Sequence, residues 1–110
     1  MALPEAESAS VDLEKLTGYL LSESHPIGRS KARVFRGIGF NESNVALLQR
    51  GLMEIARSEV VAQSVASRHG MKYVVDGVIR TPIGSHVKLR TIWIVDAGKR
   101  HPRFVTAYPL

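Results

Sequence analysis

The spacing of apolar residues changes from helical to alternating near residue 59, and no other feature constrains the fold of this chain as strongly. Beyond that point four stretches are rich in Val, Ile, Thr and aromatic residues, and short turns separate them: Val60–Arg68, Met71–Arg80, Ser85–Asp96 and Pro102–Tyr108. Four consecutive strands with short connections predict an antiparallel meander.

Three helices are predicted before these strands. The first follows the capping residue Asp12, with Leu13, Leu16 and Leu20 on its apolar side. The second runs from Gly28 or Arg29 to about Ile38, and the third from Asn41 or Ser43 to about Arg57.

The order of these elements predicts an α+β fold, with three N-terminal helices packed on a four-stranded antiparallel sheet whose other face is open. We expect residues 11–110 to form a single domain. Residues 1–10 are small and polar with one proline, and are expected to be a leader or an edge segment that buries no face.

Composition excludes several classes of protein. The 110 residues include no cysteine, so a disulfide framework and a thiolate nucleophile are excluded, and no apolar run approaches the roughly 20 residues that cross a bilayer. The histidines are scattered, and neither a metal nor a cofactor is expected.

Charge is distributed unevenly along the chain. The net charge is +5, but residues 1–24 hold five carboxylates and one lysine, a local charge of −4, so residues 25–110 carry +9. A basic body predicts a polyanionic partner, most often nucleic acid, although solvated surface cations would give the same count.

The stretch from His25 to Phe35 combines an imidazole, three cations and a helix start, and predicts a phosphate site. Gly28 would let the backbone come close to an anion, and the helix N-terminus favours negative charge. Three side chains add positive charge: Arg29, Lys31 and Arg33. A capped helix start with solvated cations is the alternative interpretation.

Residues of the last two strands could form the other wall of that site. Thr106 and Tyr108 are predicted to share a face, and Arg90 carries a guanidinium that could bind phosphate. Thr91 and Trp93 are further candidates for contacts with a substrate base. Burial of Trp93 or Tyr108 in the core or at its rim is the alternative.

Four segments together resemble a bacterial domain family of unassigned function: Leu16–Leu21, His25–Phe35, Arg90–Ile94 and Arg103–Tyr108. Members of that family occur alone and as C-terminal modules of large secreted polymorphic toxins. The resemblance implies a relationship to the compact metal-independent ribonucleases grouped with barnase, EndoU, colicin and RelE. In that group, N-terminal helices pack on an antiparallel sheet whose open face cleaves RNA.

The predicted function is therefore that of a metal-independent, toxin-type endoribonuclease acting on tRNA or another structured RNA. His25 would be the general base for the 2′-hydroxyl, and three cations would stabilise the pentacoordinate phosphate: Lys31, Arg33 and Arg90. Thr106 and Tyr108 would position the phosphate or protonate the leaving oxygen, and the product would be a 2′,3′-cyclic phosphate.

Two alternatives use the same surface. One is a non-catalytic module that binds RNA or protein. The other is an interaction protein, such as one member of a toxin–antidote pair with an immunity protein as partner, or a homodimer formed through an exposed sheet edge. The expected location is the cytoplasm, or outside the producing cell as part of a larger secreted toxin.

Overall fold

Three helices precede a four-stranded antiparallel sheet in the computed structural model, which describes residues 1–110. The elements are α1 (Leu13–Lys15, continued by a π-helical turn, Leu16–Leu20), α2 (Arg29–Gly37), α3 (Val45–Ser58), β1 (Val61–Ser67), β2 (Gly70–Arg80), β3 (His86–Asp96) and β4 (Arg103–Pro109). The strands pair in chain order, as the predicted meander requires. None of the helices is long and apolar enough to span a membrane.

Helix α1 begins where the sequence predicts, but its buried side is different. The Asp12 carboxylate accepts a hydrogen bond from the Glu14 amide at 3.1 Å. Leu16 and Leu20 are fully buried, whereas Leu13 is 45% exposed, so its predicted place in the core is wrong. Because the helix widens into a π turn after one α-helical turn, the core-facing positions lie in that π turn.

Helix α2 is held to the core by Phe35 and Ala32, which are both fully buried. The spacing of Val34, Phe35 and Ile38 predicts that all three face the core, but Val34 is 40% exposed. The helix ends because Gly39 adopts a φ of 108°, a conformation that strains other residues, and its amide bonds to the Arg36 carbonyl at 3.0 Å.

Helix α3 packs on β2 through two reciprocal glycine contacts. A Cβ at Gly51 of α3 would lie 2.6 Å from the Ile79 side chain, and a Cβ at Gly77 of β2 would lie 2.9 Å from the Ile55 side chain. Each glycine therefore makes room for an isoleucine of the opposite element, and the helix approaches the sheet more closely than two ordinary side chains would permit.

The N-terminal segment contributes to the core, contrary to the expectation that residues 1–10 bury no face. Leu3 is only 2% exposed. The Val61 amide of β1 donates to the Met1 carbonyl at 2.7 Å, and the Ser10 amide donates to the Pro102 carbonyl at 3.0 Å. Residues 1–10 thus touch both edges of the sheet.

The reciprocal glycines predict an unusual response to alanine. Alanine in place of Gly51 should destabilise the protein by about 1–3 kcal/mol, although alanine favours helices, because its methyl group would overlap Ile79. Gly77→Ala should cost a similar amount. The free energy of unfolding in urea measures both.

Gly37→Ala in α2 is the matched control, since no atom lies within 4 Å of its Cβ position. That variant should be neutral or more stable, by up to about 1 kcal/mol. Equal stability changes at Gly37 and Gly51 would contradict the close contact between α3 and β2.

Candidate functional site

His25 fixes the turn that leads into α2. Its Nδ1 accepts hydrogen bonds from the backbone amides of Ile27, at 3.0 Å, and Gly28, at 2.9 Å. Because both partners are donors, Nδ1 keeps its lone pair and the neutral ring carries its proton on Nε2. This geometry opposes the predicted general-base role of His25, since Nε2 is then a donor.

Tyr19 joins this turn to the last strand. Its ring meets the His25 ring edge to face, with centroids 5.1 Å apart, and its hydroxyl lies 3.0 Å from Oγ1 of Thr106. The Lys15 ammonium lies 4.7 Å from the centre of the same ring. We call these four residues the Tyr19 cluster: Lys15, Tyr19, His25 and Thr106.

Gly28 is needed at its position because the backbone of Tyr19 approaches it closely. A Cβ at Gly28 would lie 2.2 Å from the Tyr19 carbonyl oxygen. Gly28 therefore serves packing in this structure, and a close approach to an anion, its predicted role, stays a prediction.

Two predicted site residues of β4 face outward beside β3. The strand register places Thr106 opposite Ile92 and Tyr108 opposite Arg90, so the two share a face, as predicted. Tyr108 is 37% exposed. Through Tyr19, the structure brings His25 and Thr106 into one cluster, whereas Tyr108 lies beside Arg90.

Arg90 is engaged by an acid on the neighbouring strand. Its Nε and Nη2 donate to the two carboxylate oxygens of Asp76, each at 2.8 Å. Hydrogen bonding to Asp76, aided by Tyr108, raises the pKa of Arg90, and the same pair lowers the pKa of Asp76. A phosphate at Arg90 would have to compete with this carboxylate.

The arginines of α2 differ in their partners. Arg36 donates to the Leu21 carbonyl at 2.9 Å and pairs with Glu42 and Glu23, and hydrogen bonding to Glu42 raises its pKa. Arg29 and Arg33 are exposed and make no hydrogen bond or ion pair through their side chains.

A groove of 570 Å³ runs along one side of α2 and is lined by Glu23, Arg29, Ser30, Arg33 and Arg36. We call this groove and its lining residues the arginine face. Lys31, half-buried on the same helix, is not among the lining residues and has no side-chain partner. The structure therefore gathers two of the predicted cations, and Lys31 stands apart from them.

Thr91 and Trp93 belong to the core, which corrects their prediction as substrate contacts. Both are 0% exposed. The Thr91 hydroxyl donates to the Val75 carbonyl at 2.6 Å and accepts from Nε1 of Trp93 at 2.8 Å. A buried indole needs such an acceptor, and this bond satisfies it inside the sheet.

Sequence reasoning did not select Tyr19 as a site residue. The only local signals are its position four residues after Lys15, a spacing that brings helical side chains together, and its place among leucines that belong to the core. Contact with Thr106, 87 residues away, depends on the tertiary fold.

No three His, Asp or Glu side chains come together in a way that could hold a metal ion.

The pair between Arg90 and Asp76 predicts a pH dependence of stability. Because the folded protein lowers the pKa of Asp76 below 3.8, the pair's contribution is complete above that pH and disappears as the pH falls through the folded value. Asp76→Asn should therefore lose less stability than the wild type on acidification below about pH 4. Urea midpoints across the acid range measure the difference.

Part of the acid sensitivity should remain in that variant, because Arg103 lowers the pKa of Asp96 and Arg36 lowers that of Glu42. Glu14→Gln, at an exposed carboxylate without an ion pair, is the control, and its urea midpoint should fall with pH as much as that of the wild type. If the urea midpoint of Asp76→Asn also falls with pH as much as that of the wild type, the claim that the pair of Arg90 and Asp76 stabilises the fold is wrong.

Comparison with known proteins shows the fold and the family. No curated protein sequence matches the chain. The chain is similar to a chain of a solved structure described as a contact-dependent growth inhibition toxin and immunity protein complex from Klebsiella pneumoniae 342. The similarity covers 96% of both chains, with a TM-score of 0.72 and 16% sequence identity, which shows a shared fold. A family model matches residues 2–110, and the chain therefore belongs to the family described as domain of unknown function DUF6883.

Proposed function

We propose that this domain is one member of a toxin–immunity pair and that its arginine face binds an acidic protein partner. The observation that carries the proposal is the unequal pairing of arginines. Arg29 and Arg33 line the groove, are exposed and have no acidic partner, whereas Arg36, the third arginine of that groove, is already paired with Glu42 and Glu23. The shared fold with a chain of a toxin–immunity complex supports the same assignment.

The pairing matters because a guanidinium already bound to a carboxylate gains little from a second one. Arg103, for example, donates to both oxygens of Asp96 at 2.7 and 3.0 Å. Arg29 and Arg33 lie one helical turn apart, so an acidic surface can contact both at once. Arginine can hold each carboxylate through two parallel hydrogen bonds, which fixes orientation as well as affinity.

The rest of the groove suits a protein surface better than an isolated anion. Glu23 lies on its rim, 76% exposed at the side chain, and would repel a uniformly negative ligand. A protein can place carboxylates against Arg29 and Arg33 and a cation or amide against Glu23. Such matching of charges determines the choice of partner and accelerates encounter.

The experiment is a binding titration with the protein encoded beside the gene for this chain. The double variant Arg29→Glu/Arg33→Glu should bind about tenfold to hundredfold more weakly, because it places acids against acids. Affinity of the wild type should fall as the salt concentration rises.

Arg50→Glu/Arg57→Glu is the matched control, since it makes the same charge change at two exposed arginines of another helix, α3, outside the arginine face. It should retain nearly full affinity. Equal losses in the two double variants would indicate attraction by net charge alone and would contradict recognition at α2.

A second candidate function is cleavage of RNA, and the Tyr19 cluster is the observation that favours it. The cluster combines a hydroxyl pair, an imidazole with an N–H on Nε2, and an ammonium group. In such a mechanism the 2′-oxygen would attack the phosphorus and lose its proton to water, the bond from phosphorus to the 5′-oxygen would break, and the Tyr19 hydroxyl would protonate the leaving 5′-oxygen, while the Nε2–H of His25 and the ammonium of Lys15 would offset the charge of the phosphate. Thr106 would position the phosphate, and the product would be a 2′,3′-cyclic phosphate.

Incubation of total tRNA with the purified protein in the presence of EDTA tests this candidate. Cleavage should occur, and both His25→Ala and Tyr19→Phe should reduce its rate by about a hundredfold or more. Tyr73→Phe, which removes a hydroxyl without a hydrogen-bond partner, is the control and should cleave normally. Intact tRNA with the wild-type protein would eliminate the candidate, while the toxin–immunity proposal would stand.

A further inference from the structure

The two edges of the sheet are built differently. At the β4 edge, the Phe104 amide donates to the Ser10 carbonyl at 2.9 Å, and Tyr19 covers Thr106. A register irregularity between Thr106 and Phe104 and a proline at position 109 interrupt the strand further. These features all prevent another strand from pairing with β4.

The opposite edge, β1, has such features only at its beginning, where a register irregularity lies between Val61 and Gln63. Every residue from Ala62 to Ser67 is exposed, and Val65 keeps 48% of its surface in contact with solvent. The strand contains no proline and no charged residue. Only its beginning is paired, where Met1 and Ala2 lie beside Val60 and Val61.

An exposed edge of this kind presents unpaired N–H and C=O groups to any strand that can approach. Proteins usually interrupt such an edge with a lysine, a proline or a covering segment. We propose that β1 pairs antiparallel with β1 of a second copy of this chain, so that two four-stranded sheets become one. This inference rests on the sheet edge and is independent of the proposed function.

The composition of β1 fits a second copy better than another occupant. A two-fold axis brings the side chains at the centre of the strand close to their own counterparts in the other copy, where a charged residue would meet a like charge. Between Glu59 and Arg68 the chain has no charge and only small or medium side chains. A strongly charged partner strand would find no complementary group on this edge.

Charges at the two ends of β1 support the antiparallel arrangement. Glu59 precedes the strand and Arg68 follows it, and both are exposed. In an antiparallel pair the beginning of one strand lies beside the end of the other, so Glu59 of each copy approaches Arg68 of its mate. A parallel arrangement would instead bring like charges together.

Sedimentation velocity over a range of protein concentrations tests the proposal. The wild type should shift from monomer to dimer as concentration rises. Gln63→Lys/Val65→Lys should weaken association about tenfold or more, because four lysines would crowd the two-fold axis. Gln63→Glu/Val65→Glu should do the same, and an equimolar mixture of the two variants should recover a dimer, since opposite charges then meet.

Leu47→Lys/Ile83→Lys is the control, because it replaces two exposed apolar residues outside β1 and adds the same charge. It should associate like the wild type, and circular dichroism should show that all variants are folded. A wild type that stays monomeric at every concentration would overturn the proposal, and so would two separate charge variants that associate as well as the wild type.

Discussion

The contact of Tyr19 with three separate parts of the chain is the interaction on which the rest of this structure depends. Its backbone carbonyl packs against Gly28, its ring meets His25, and its hydroxyl bonds with Thr106. One residue therefore fixes the end of α1, the turn into α2 and the last strand relative to each other. The orientation of the arginine face against the sheet follows from this junction.

Ion pairs within the chain determine which of its cationic side chains are available to bind a partner. A sequence shows a basic body with a charge of +9 but does not show which charges are already neutralised locally. Asp76 and Asp96 neutralise arginines on the outer face of the sheet, and Arg36 is occupied by two glutamates. On α2 this leaves Arg29 and Arg33 without a partner, and because both line one groove they form a short basic surface.

Sequence patterns predicted the elements well because their signals are local. Asp12 caps a helix through its own neighbours, and alternating strands with glycine turns give an antiparallel meander. The candidate site was predicted only in part. Burial of Trp93 depends on which sheet face the helices cover, and the role of Tyr19 depends on a partner 87 residues away, neither of which local spacing encodes.

The most direct measurement of the central claim is an NMR titration of the isotope-labelled domain with the protein encoded beside its gene. The account predicts that the largest shift changes fall on the amides from Gly28 to Arg36 and on the neighbours of Tyr19. Changes concentrated on the outer strands around Asp76 and Arg90, with α2 unaffected, would contradict it.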